Sequence, residues 1–264
     1  MPTIHRIIVF PIKSLDGHNV DASEVLTNGA LRHDRRYALV DAWGKYVNGK
    51  TCPEIHRIRA TFSDDFKRVS LACGQQPDSF EIATDQTRVA DWCSEALGKK
   101  CRLIENEDGG FPDDSEAPGP TLVSTATLQA VADWYDGVDL AEARRRFRFN
   151  LEVEGVPAFW EDGLVAPPQQ VRRFRVGEIA WQGNGVCKRC VVPTRNSLDG
   201  SQTAGFAREF VRQRELRLPD WAPRERFDTF YRLGVNTRID SDALGAVIRV
   251  GDFVSLASSV AGES

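Results

Sequence analysis

Apolar residues arrive in short runs along this chain, and that restricts the folds open to it. Ile4–Phe10 reads as a strand stopped by Pro11, which has no N–H to offer a ladder. Val20–Leu26 precedes Asn28-Gly29, a dipeptide suited to a tight turn, and Tyr37–Asp41 precedes the turn Trp43-Gly44-Lys45. Similar runs recur at Val69–Cys73, Ser79–Ala83, Cys101–Ile104, Phe149–Val153, Arg173–Val176 and Glu178–Trp181. Phe227–Val235, Ala246–Val250 and Phe253–Ala257 close the chain as strands. No βαβ series, Walker loop or GxGxxG fingerprint interrupts them. The pattern predicts a mainly β chain of the α+β class, with barrels or sandwiches and a few peripheral helices.

Those helices announce themselves by a change of period. Val89, Trp92, Cys93 and Leu97 fall at helical spacing before Gly98, a natural stop. Ser124 or Thr125 can cap a helix carrying Leu128, Val131, Ala132 and Trp134, and the free N–H groups at its start would suit an anion. Asp139 opens Leu140–Arg146, and Ala204–Arg214 is amphipathic. Between Glu105 and Pro120 the composition turns to Asp, Glu, Gly and Pro. This stretch reads as a solvated linker at a domain boundary, with a flap over a site as the alternative.

At 264 residues the chain can hold one large domain or two modest ones. A net charge of −4 and the lack of a long apolar run point away from nucleic-acid and membrane partners. The first residues lack the layout of a signal peptide, so the expected location is cytoplasmic. Six scattered cysteines, at 52, 73, 93, 101, 187 and 190, then read as reduced thiols. One CxxC without a second pair or an HxxxH does not make a zinc site, and no iron–sulfur spacing occurs. The histidines, His5, His18, His33 and His56, read as surface or strand residues.

The stretch Val186–Thr194 is where chemistry is expected. Cys187 and Cys190 flank Lys188 and Arg189, and positive charge favours a thiolate. Such a thiol can be a nucleophile, a persulfide carrier or a soft-metal ligand; two buried structural thiols are the alternative. Lys13, Arg35, Arg36, Arg148, Lys188 and Arg189, with Asn150 as a further donor, would form a pocket for a phosphate if they converge.

The quoted pieces carry a family resemblance. Phe10-Pro11-Ile12-Lys13-Ser14 and Asp34-Arg35-Arg36-Tyr37 resemble the N-terminal β-barrel domain that accompanies MOSC domains. Phe147-Arg148-Phe149-Asn150 is similar to the MOSC Phe-Arg-Pro-Asn motif, with Phe149 in place of Pro. Cys187 to Thr194 resembles the family's Cys-x-x-Cys loop, although Pro193 and Asn196-Ser197 stand where mitochondrial members have Thr and Asp-Pro. Ile248 to Asp252 fits the last strand.

The resemblance implies two β-barrel-like domains, residues 1–115 and a MOSC domain at 116–264, around a molybdenum cofactor. Cys190 matches the metal-ligating, catalytic thiol. Lys13, Ser14, Arg35, Arg148 and Asn150 match cofactor contacts, joined by Arg189 and by Ser124 and Thr125 at the helix start. The implied activity is reduction of N-hydroxylated small molecules with electrons from a separate donor protein, as in the amidoxime-reducing members. Sulfur carriage as a Cys190 persulfide, or cofactor binding without turnover, is the alternative. A third is a module for another phosphorylated ligand.

Overall fold

The computed structural model describes residues 1–239 and 243–256. The first part of the chain supplies strands β1 (Thr3–Val9), β2 (His18–Val20), β3 (Ala22–Glu24) and β4 (Tyr37–Val40). Strands β5 (Arg59–Phe62), β6 (Arg68–Ala72) and β7 (Asp78–Glu81) follow, then helix α1 (Gln86–Leu97) and β8 (Arg102–Glu105). Next come β9 (Leu122–Ser124), α2 (Thr125–Ala132), α3 (Leu140–Phe147), β10 (Leu151–Glu154), β11 (Arg172–Val176) and β12 (Ile179–Lys188). The chain ends with α4 (Phe206–Leu216), β13 (Arg232–Ile239), β14 (Val247–Arg249) and β15 (Val254–Leu256). Ala257, the expected end of the last strand, lies outside the described residues. None of the described helices is long and apolar enough to cross a membrane.

Local chemistry sets the helix ends. The Ser124 side chain accepts the Thr127 N–H at the start of α2, and the Asp139 side chain accepts the Glu142 N–H at the start of α3. Gly98 ends α1 in the left-handed region, as its place after the last apolar residue predicts. Arg148 does the same for α3 at φ 55°, an unusual conformation for a side chain of that size.

Eight strands form one sheet in the order β15-β11-β12-β13-β9-β10-β1-β2, with β9 and β10 parallel and the other pairs antiparallel. Three small sheets, β14-β3, β4-β8 and β5-β6-β7, complete a mixed α+β architecture. Among the described residues no ladder closes a sheet on itself, so the expected pair of barrels is met only as a strand-rich α+β fold.

Strand β1 crosses the expected division at 115/116. It pairs with β10, and Ile4, Ile7 and Val9 are buried with Leu151, Val153, Trp181 and Val235. Ile12, Leu15 and residues from Tyr37 to Leu103 form a second core with α1, and a third lies beneath α2, α3 and α4. The chain thus leaves the large sheet at Val9 and enters the second core at Ile12. Pro11 and the residues after it lie along the seam.

Because Ile7 is fully buried in the large-sheet core, Ile7→Ala should cost about 2–5 kcal/mol in chemical denaturation and expose the β10 amides to hydrogen exchange. An unchanged midpoint would mean that β1 is not part of that core.

Candidate functional site

A cavity of about 600 Å³ opens along that seam. Its walls come from the residues after β1, the loop before β9, the end of α3 and the exit of β12. Lys13, Ser14, Arg35, Arg148, Asn150, Arg189 and Cys190, all expected at a site, line it.

The two thiols differ in kind. Cys187 belongs to β12, is buried against the helices, and donates its S–H to Oδ1 of Asn236 on the neighbouring strand β13. Burial pushes this thiol up to about 12 against the pull of Arg189, so it stays protonated at neutral pH. Cys190 lies beyond the strand end, half-buried, at a turn closed by Val192–Thr194. Its sulfur accepts the Val192 N–H at 3.5 Å. Both cysteines line the cavity, but the Cys187 sulfur is buried and tied to Asn236, whereas Cys190 is half-buried at the loop.

Among the cations lining the cavity, Lys188 and Arg232 share Asp228 and Arg146 pairs with Glu142, whereas Arg148 and Arg189 have no carboxylate within ion-pair distance among the described residues. Arg148 donates to the Leu15 carbonyl at 2.6 Å and lies 4.2 Å from the centre of the Phe10 ring. No carboxylate among the described residues comes within ion-pair distance of it. Burial, then Arg35, push it down to about 10. Arg189 donates to the Phe147 carbonyl and stacks over Phe147 and Phe149, 5.4 and 5.0 Å from the ring centres. Its Nε is buried without a partner. Phe149, which stands where the motif it resembles has proline, therefore serves as an aromatic platform. Gly234 makes room for it, since a Cβ there would sit 2.2 Å from the ring.

Asn150 lines the cavity and also has a framework role. Its Nδ2 donates to the Ile8 carbonyl and its Oδ1 accepts from the N–H and hydroxyl of Thr121, so the amide ties β1 to the chain before β9. Ser124 and Thr125, also expected at the site, are not brought to it, since neither lines the cavity. Ser124 is spent on capping α2 and on Thr127, and Thr125 donates to Glu152. Thr127 in turn donates to Glu161, so the polar groups at this helix start are engaged within the protein.

The acidic stretch from 105 to 120 is no solvated linker. Asn106 and Phe111 donate to the carbonyls of Arg36 and Arg35, and Gly110 lies so close that a Cβ would meet the Asp34 carbonyl at 2.4 Å. Asp113 then reaches Lys13 Nζ at 2.8 Å and Arg35 Nε at 3.8 Å. Burial opposes ionisation of Asp113, but Arg35 and Lys13 outweigh it and hold the carboxylate well below its usual range. Asp114 accepts from Asn236, which links this loop to Cys187. His56 was read as a strand or surface residue, yet it lines the cavity with its Nε2 buried and unpartnered. Burial, then Arg148, push it down to about 4. The excess of aspartates in a loop that must pack on a basic surface was the one signal for this arrangement.

Comparison with known proteins agrees with the quoted motifs. Residues 1–108 match the family model of the MOSC N-terminal beta barrel domain. The chain is 22% identical over 234 residues to the molybdenum cofactor sulfurase of Drosophila ananassae, covering 76% of this chain and 29% of that protein. The molybdenum cofactor sulfurase of Oryza sativa subsp. japonica is also 22% identical, over 71% of this chain and 27% of its own. That of Caenorhabditis elegans is 25% identical, over 72% and 28%. The chain therefore spans less than a third of the length of these curated relatives. The solved YUAD protein from Bacillus subtilis is 10% identical and covers 96% of this chain and 94% of its own, at a TM-score of 0.38, too low to establish a shared fold. The match over residues 1–108 is consistent with a MOSC domain protein, in line with the quoted motifs.

Proposed function

We propose that residues 116–264 form the MOSC domain and that the cavity at the seam holds the molybdenum cofactor, with Cys190 as the protein's ligand to the metal. The observation that carries this reading is the unequal pair of thiols in a cavity where two cations, Arg148 and Arg189, have no carboxylate partner among the described residues. The residues present fit such a group. Cys190 is a soft donor open to the cavity, Arg148 has a charge to share, and Arg189 has a buried Nε with nothing to bond. No three His, Cys, Asp or Glu side chains gather into a metal cage among the described residues, so a metal here would rest on one thiol and on ligands from the cofactor itself.

When bound, the group supplies two-electron chemistry at molybdenum. Lys13, Ser14, Arg35, Arg148 and Arg189 would hold its anionic end, which would compete with Asp113 for Lys13 and Arg35. Cys187 positions the loop through Asn236. His56 remains a neutral imidazole at physiological pH. The reaction we propose is reduction of N-hydroxylated small molecules, in which two electrons and two protons convert N–OH to N–H and water. The electrons come from a separate donor protein, and the setting is cytoplasmic.

The relatives named molybdenum cofactor sulfurase favour a second reading, in which Cys190 carries a persulfide and passes sulfur on without reductase turnover. Metal and pterin analysis of protein from a cofactor-competent host separates the two. Molybdenum and pterin in the purified protein support the first; a reducible one-sulfur adduct on Cys190 in protein free of both supports the second.

Cys190→Ala should abolish metal content and turnover with the fold intact, while Cys187→Ala keeps most activity and loses stability instead. Equal loss from both would overturn the division between the thiols. Asp113→Asn should retain more pterin through gel filtration than the unaltered protein, because a competing carboxylate has gone; lower retention would show that Asp113 supports the site. The pH dependence follows from His56. Its folded value, about 4, lies below the ordinary 6.5, so the unfolded chain takes up a proton that the folded chain refuses. This contribution is complete above about pH 6.5 and is lost as pH falls towards 4. His56→Gln should flatten the melting-temperature profile over that window, and an unaltered profile would remove His56 from the account.

A further inference from the structure

Behind the wall made by Ser14, His56 and Arg148 lies a second cleft of about 200 Å³. Its other cations are Arg6 from β1, Arg59 from β5, and Arg144 and Arg145 from α3. The carboxylates near them are too few. Glu152 serves both Arg144, at 2.8 Å, and Arg6, at 3.6 Å. Glu142 serves both Arg145, at 3.0 Å, and Arg146, at 2.6 Å. Arg59 has Asp16 at 3.4 Å, and Arg148 has no carboxylate among the described residues. The five guanidiniums of the cleft thus have three carboxylates between them, one of which, Glu142, is shared with Arg146 outside it. The structure brings together residues 6, 59, 144, 145 and 148 from separate parts of the chain, and the surplus remains after every available carboxylate is used.

We propose that this second cleft is an anion site for a single phosphoryl group, distinct from the cavity that holds Cys190. Guanidinium forks suit phosphate oxygens, and Ser14 adds a hydroxyl from the shared wall. The volume falls below the roughly 300–1,000 Å³ of sites that enclose whole drug-sized ligands, so the cleft takes a free phosphate or the phosphoryl end of a molecule that projects into solvent. Arg148 lies in both walls. An anion in the cleft therefore offsets charge that the first cavity also uses.

The test is calorimetric titration of the full chain with inorganic phosphate and, separately, with glycerol 3-phosphate. Saturable binding is expected at one site, retained in Arg35→Gln, which touches only the first cavity, and weakened at least about tenfold in Arg145→Gln. Arg145 is largely on the surface of α3, and a melting curve confirms that the variant is folded; Arg59→Gln provides a second variant on the opposite wall. Tighter binding of the ester assigns the site to the phosphoryl end of a larger ligand, and tighter binding of inorganic phosphate assigns it to the free ion. Absence of saturable binding overturns the proposal. So does loss of binding in Arg35→Gln with no change in Arg145→Gln, because the anion would then be in the first cavity. Molybdenum content should be unaltered in Arg145→Gln, so a protein without molybdenum that still binds phosphate here would sink the cofactor reading alone.

Discussion

The Asn150 side chain is the knot on which the cavity depends. With a donor on the Ile8 carbonyl and an acceptor for both Thr121 groups, one amide fixes β1, the chain entering β9 and the chain leaving α3. The Asn150 carbonyl takes the Ile8 N–H as well, at 2.7 Å. Each bond to a neutral partner adds about 0.5–1.5 kcal/mol net, but an orphaned buried amide costs about 1–3 kcal/mol, so the three segments hold or fail together. Lys13 and Ser14 follow β1 by a few residues and Arg148 precedes Asn150 by two. The knot therefore brings two distant parts of the chain to one seam.

Charge then decides what the seam can accommodate. Lys13 and Arg35 find Asp113, and Arg35 also finds Asp34. Arg148 and Arg189 are left with backbone carbonyls and aromatic rings. Carbonyls and rings moderate the cost of burying a cation without cancelling its charge. The acidic loop neutralises one end of the cavity, and positive charge remains at the end near Cys190.

Local features were legible from residue types alone. The caps at Ser124 and Asp139 and the stop at Gly98 depend on neighbours within a few positions, and they form as read. The motif pieces placed Lys13, Arg35, Arg148, Arg189 and Cys190 together, and the cavity unites them. What escaped was non-local. Nothing in Thr3–Val9 says that it pairs with β10, and nothing in residues 105–120 says that their aspartates fold back onto Lys13 and Arg35. Ser124 and Thr125 show the same limit. A free helix start attracts anions, but here the side chains at that start are engaged with Thr127 and Glu152 and lie away from the cavity.

The backbone records what aiming these side chains costs. Ser14, Arg35 and Arg148 all have positive φ, at 73°, 50° and 55°, where a side chain costs of order 1 kcal/mol or more. Glycine would relieve that strain at each position, yet it would remove the hydroxyl or the cation from the cavity. A charge-assisted hydrogen bond contributes about 1.5–3 kcal/mol, comparable to the strain or larger, so the trade is favourable once an anion accepts the bond. Without an anion, Arg148 has only the Leu15 carbonyl and the Phe10 ring to offset both its strain and its burial. The folded chain alone does not recover that cost, and a bound anion is the partner that would.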